Sequence, residues 1–108
     1  MNITTDKGDI FFDLTPLGLD DIVNKASIYT IWTRTSEPNK YTLIYIGESG
    51  QTETRLNSNH HKYQCWLDND TKGLYKAFLW MPVSEYTKEQ RFTIEADLIK
   101  KYNPACNN

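Results

Sequence analysis

Ser27-Ile28-Tyr29-Thr30-Ile31-Trp32-Thr33-Arg34, then Thr35-Ser36-Glu37-Pro38-Asn39, then Tyr41-Thr42-Leu43-Ile44-Tyr45-Ile46 is the stretch that decides the fold. Both flanks alternate in hydrophobicity, are rich in aromatic and β-branched residues, and enclose a turn-forming cluster, the pattern of a β-hairpin. With the loop centred on Glu37, Thr33 faces Tyr41, Ile31 faces Leu43 and Tyr29 faces Tyr45, which sets two phenols side by side on one face. A one-residue slip would destroy that pairing. Gly47-Glu48-Ser49-Gly50 is expected to break the second strand.

Working outward, residues 1–24 read as an extension that leans on a domain spanning 25–108. Within it Thr15-Pro16 followed by Leu17, Leu19, Ile22 and Val23 predicts a short helix with a threonine N-cap. Beyond the hairpin, Thr52 is a plausible N-cap for a helix running through Arg55 to Leu67, with Leu56, His60, Tyr63 and Leu67 on its inward stripe. Asp68-Asn69-Asp70 and Gly73 close it. Leu74 to Met81 is apolar on both faces, the mark of a strand in the middle of a sheet, and Pro82 ends it. Thr87 with Gln90 forms a capping-box pattern that opens a helix to about Tyr102, stopped by Asn103-Pro104. Phe92, Glu95, Ile99 and Tyr102 fall on one side of that helix, so the Glu95 carboxylate needs a cation, a hydrogen-bond network or a solvated hollow beside it. The fold class is therefore α+β, a small three-stranded, mainly antiparallel sheet flanked by helices.

The chain has 108 residues, enough for one modest core, and a formal charge of −2. No apolar run is long enough to span a membrane and no leader pattern opens the chain, so the expected compartment is the cytoplasm, with Cys65 and Cys106 reduced. A mildly acidic chain has little long-range attraction for phosphate, so any positive surface must be local, with Arg55, Lys62, Lys72 and Lys76 as its candidates.

Ser27-Ile28-Tyr29, Tyr45-Ile46-Gly47, Arg55, Glu95 and Asn103, in that order, resemble the signature of the GIY-YIG nuclease superfamily, over the chain from about Ala26 onward. The resemblance implies a metal-dependent endonuclease that hydrolyses DNA phosphodiester bonds, cutting one strand per active site with Mg2+ or another divalent cation such as Mn2+. Glu95 would hold the metal, Arg55 would stabilise the scissile phosphate, Tyr29 would contact the attacking water and Tyr45 would lie close to the same phosphate. Asn103 would stand near the active centre. Two features depart from the pattern: Ser27 occupies the place of a glycine, and the connection between the tyrosine motifs is long.

Each of these residues also has a plainer reading. Spacing alone makes Arg55 a solvated arginine, Tyr29 and Tyr45 core packing, Asn103 a helix stop, and Glu95 a helix-edge glutamate paired with Arg91 or Lys100. His60 is a candidate for a catalytic or phosphate-contacting role, against the plainer reading of a hydrogen-bonded core histidine, although relatives place a histidine one helical turn after the arginine, where Asn59 stands here. His61 and Cys65 lie nearby without a recognised zinc spacing. A free phenol ionises near pH 10, so a phenolate base at neutral pH would cost about 4 kcal/mol. The chain has no room for a separate DNA-recognition module, so it either cuts with little sequence preference, recognises a structure, or is delivered by a partner protein or a second copy in a homodimer. The rival reading is a non-catalytic nucleic-acid or protein binding module on the same fold.

Overall fold

A computed structural model describes residues 3–4, 10–18, 21–23, 25–38, 40–50 and 54–107. The hairpin is present as β4 (Ser27–Arg34) and β5 (Tyr41–Ser49). Around it lie β1 (Ile3–Thr4), β2 (Ile10–Pro16), β3 (Ile22–Val23), β6 (Thr54–Arg55), α1 (Tyr63–Asp68), β7 (Leu74–Trp80), α2 (Lys88–Tyr102) and a final 3-10 turn, Ala105–Asn107. The main sheet has four antiparallel strands, not three, in the order β2-β7-β4-β5, extended at β2 by the two-residue β1. A second, minimal ribbon pairs β3 with β6. The architecture is thus α+β, and no helix among the described residues is long and apolar enough to cross a membrane.

β4 is flanked by β5 and β7 and covered on both sides, so Ser27 to Thr33 are all buried. That explains why both of its faces carry large or β-branched residues. On one face Tyr29, Ile31 and Tyr45 pack with Val23, Leu56, Trp66 and Cys106. On the other, Ile28 and Ile46 pack with Met81 and receive Ile94, Leu98, Ile99 and Tyr102 of α2. Two buried hydroxyl and indole groups on β4 are satisfied within the sheet layer, Trp32 Nε1 donating to Thr30 Oγ1 and Thr30 Oγ1 donating to the Ala77 carbonyl, each at 2.7 Å.

Several sequence expectations are corrected here. The segment before residue 24 forms no helix among its described residues: the chain stays extended through Pro16 and adds an edge strand to β7, because Ile10 to Pro16 finds open ladder partners there. Leu19 lies outside the described residues. Gly47-Glu48-Ser49 does not break β5, which continues to Ser49 opposite Ser27. The helix expected from Thr52 to Leu67 shrinks to Tyr63–Asp68; Thr52 lies outside the described residues, and Thr54–Arg55 is drawn into a strand pairing with Ile22–Val23. Leu67, expected inward, is exposed. The Thr87 capping box forms as expected, Gln90 N–H donating to Thr87 Oγ1 at 3.1 Å and Thr87 N–H to Gln90 Oε1 at 2.8 Å. Cys65 and Cys106, expected as thiols, are joined in a disulfide that staples the C-terminal turn to α1.

Candidate active site

The hairpin register differs from the sequence expectation by two residues near the tyrosines: Tyr29 faces Gly47 and Ile31 faces Tyr45, with a bulge between Ile31 and Trp32 absorbing the difference. Because strand side chains alternate, a two-residue shift keeps both phenols on the same face. They meet diagonally, ring centroids 6.0 Å apart. Gly47 is required by this register, since a Cβ there would sit 2.5 Å from the Tyr29 oxygen.

His60 completes the group from the turn before α1. Its Nε2 is 2.8 Å from the Tyr29 oxygen, and its Nδ1 accepts the Lys62 backbone N–H at 3.0 Å. An imidazole whose Nδ1 accepts must carry its proton on Nε2 when neutral, so His60 donates to Tyr29. Burial and the stacked ring of His61, 4.7 Å away, hold its pKa down to about 4, so the neutral form prevails. Trp66, fully buried in α1, backs the cluster with its ring centroid 4.5 Å from His60 and 5.5 Å from Tyr45. Burial raises the Tyr29 pKa strongly, followed by the effects of Tyr45, Glu95 and Glu48. Burial also raises Tyr45, partly opposed by hydrogen bonding from Tyr29. Tyr29 thus takes a proton contact from His60 and directs its own hydroxyl towards Tyr45, and both phenols stay protonated at neutral pH.

α2 packs its apolar side against the face of the sheet opposite the tyrosines, and the Glu95 charge adds to the larger effect of burial in raising both phenols. The apolar stripe of α2 is Ile94, Leu98, Ile99 and Tyr102, rotated from the one expected: Phe92 is exposed and Glu95 sits at the border. Glu95 pairs with neither Arg91 nor Lys100. Its pKa is raised by burial and by the nearby Glu48 carboxylate, against which it accepts a hydrogen bond from the Glu48 backbone. Arg91 instead forms a nearly buried ion pair with Glu48, Nε to Oε1 3.0 Å. Sequence reasoning missed this pair because its partners lie 43 residues apart and meet only when α2 docks along β5.

The other expected residues divide. Arg55 stands exposed on β6, whose Thr54 Oγ1 lies 3.1 Å from Ser49 Oγ at the end of β5. Asn103 is the exposed, left-handed C-cap of α2, φ 47°, eight residues and so about 12 Å along the axis from Glu95. The asparagine that does approach the site is Asn107, which sequence reasoning overlooked: its side chain accepts from Ile46 N and donates to Ile46 O, both at 2.8 Å, capping the edge of β5 beside Tyr45. Of the lysines proposed as positive surface, Lys76 is committed to Asp21 at 2.6 Å and to the Pro16 carbonyl. Ser27 is fully buried and donates to the Lys25 carbonyl at 3.2 Å, which removes the cost of its hydroxyl.

Among the described residues no group of three or more His, Cys, Asp or Glu is placed to share a metal ion. Glu95 could nevertheless offer its half-buried carboxylate to a hard divalent cation, whereas the neighbouring Glu48 carboxylate is taken by Arg91. Magnesium is held through one or two carboxylates with water and phosphate oxygens filling its shell. No family model, curated protein or solved structure matches the chain.

Proposed function

We propose that this protein is a GIY-YIG-type, metal-dependent endonuclease acting on DNA, cutting one strand per site. The reading is carried by one observation: Tyr29, Tyr45 and His60 lie in one cluster, with Nε2 of His60 2.8 Å from the Tyr29 oxygen and the two phenol rings 6.0 Å apart. Glu95 would hold a magnesium or manganese ion, which when bound supplies positive charge to the scissile phosphate. In the proposed reaction water attacks phosphorus, a new P–O bond forms as one P–O ester bond breaks, the water's proton passes to solvent and the leaving oxygen is protonated from solvent. Tyr29 is not the base, because its phenol is held protonated; it orients Tyr45, whose own hydroxyl hydrogen is left to bind a phosphate oxygen or the attacking water. His60 fixes Tyr29 through its Nε2–H. Arg55 would bring a guanidinium to the phosphate from the β6 ribbon.

One observation favours the second reading, a non-catalytic nucleic-acid or protein binding module. The formal charge is −2, which offers little long-range attraction to a phosphate backbone. Nicking of supercoiled plasmid with and without magnesium separates the two. The wild type is expected to nick only with the metal, and Glu95→Gln, which keeps an acceptor for the Glu48 N–H, to be inactive yet folded. Equal, metal-independent cutting by both proteins overturns the enzyme reading, and so does an absence of cutting on every DNA tested.

A further inference from the structure

Lys88, Arg91, Phe92 and Glu95 recur at i, i+3, i+4 and i+7 and so share one side of α2. The first three, with Glu48, Ser49, Gly50 and Thr54, line an open hollow of about 370 Å³ where α2 passes the end of β5. This volume lies in the range of roughly 300–1,000 Å³ that small-molecule sites occupy. Within it the charges are already sorted. Arg91 neutralises Glu48, so no free carboxylate faces an incoming anion from β5. Among the described residues Lys88 makes no ion pair, and its Nζ rests 5.5 Å from the centre of the Phe92 ring. Phe92 is 44% exposed although it belongs to a helix whose neighbouring side is packed into the core.

From this geometry we infer that the hollow binds an unpaired nucleotide of the DNA strand, next to the phosphate that a cation on Glu95 would hold, with its base stacked on Phe92 and its phosphate on Lys88. An exposed aromatic ring with a lysine over its face combines the two elements by which proteins hold single strands without reading sequence, the base taking the ring and the displaced ammonium the phosphate. Phe92 precedes Glu95 by three residues, about 4.5 Å along the helix axis, so the ring and the carboxylate stand about one helical turn apart on the same side. The preferred substrate is accordingly a strand with an unpaired nucleotide beside the cut, such as a flap, bulge or frayed end, rather than a perfect duplex. The inference rests on the endonuclease reading for its placement of the phosphate, but the hollow and its aromatic wall are independent of catalysis.

Binding without cutting isolates it. Fluorescence anisotropy of a labelled oligothymidylate, measured with EDTA present, should give a dissociation constant roughly 5- to 150-fold weaker for Phe92→Leu, the range expected for losing one base–aromatic stack. Phe92→Tyr, which keeps the ring, should bind as the wild type does, and this separates stacking from packing. Lys88→Ala should lower the slope of log affinity against log salt by about 0.7, the value for one single-strand phosphate contact. A mismatch-free duplex should bind more weakly than the single strand. Unchanged affinity in Phe92→Leu, or equal loss in Phe92→Leu and Phe92→Tyr, overturns the site. If Glu95→Gln abolishes nicking while Phe92→Leu binds normally, this inference fails and the endonuclease reading stands. Phe92-dependent binding by a protein that never cuts gives the converse.

Discussion

Gly47→Ala tests the geometry on which the site depends. In the observed register the Tyr29 ring lies over Gly47, and a Cβ there would fall within 3.0 Å of three ring atoms, including the oxygen at 2.5 Å. Tyr29 is only 3% exposed and paired on its other side with Phe78, so it has little room to retreat. Overpacking of this kind costs about 1–3 kcal/mol, against which alanine in a strand regains about 0.5–1 kcal/mol of backbone entropy. The net loss is about 1–2 kcal/mol, a fall in Tm of roughly 5–15 °C for a domain of this size. Tyr29→Leu removes the three clashing atoms while keeping apolar volume. In that background Gly47→Ala should cost nothing or stabilise by up to about 1 kcal/mol, a coupling of roughly 2 kcal/mol. Urea unfolding of the four proteins in the cycle measures it. Additivity within about 0.5 kcal/mol would refute the contact and return Tyr29 to a position opposite Tyr45.

Three further outcomes are expected. His60 is held neutral down to about pH 4 when folded but takes a proton near its ordinary 6.5 when unfolded, so the unfolded state binds the extra proton between those values. Its contribution to stability is complete above about 6.5 and declines as the pH falls towards 4; thermal melts at pH 7 and pH 5 should differ more for the wild type than for His60→Gln, and an equal difference removes the claim. The Cys65–Cys106 bond closes a separation of 41 residues, for which loop entropy gives about 4 kcal/mol, so Cys106→Ser or a reductant should lower unfolding free energy by about that amount, and no effect of either shows that the cysteines are unpaired in solution. Arg91→Met leaves the Glu48 carboxylate buried without its cation and should cost about 3–5 kcal/mol in urea unfolding, most of it recovered by adding Glu48→Gln; a double mutant no more stable than Arg91→Met contradicts the pairing.

Local chemistry alone determined a good part of this protein. The alternating Ser27–Arg34 and Tyr41–Ile46 segments, the apolar run from Leu74, and the Thr87–Gln90 box each carry their own signal, because strand alternation and helix capping involve residues only a few positions apart. The same locality misled where competition was tertiary. Thr54–Arg55 has a helical spacing pattern behind it but pairs with Ile22–Val23, and Ile10–Pro16 becomes an edge strand because β7 offers it a ladder. Which tyrosine faces which residue depended on a bulge that the turn sequence does not encode. Only the folded chain brought Glu48 to Arg91 and Asn107 to Ile46, since each of these meetings joins residues more than 40 positions apart and is settled by how α2 and the C-terminal turn dock against the sheet.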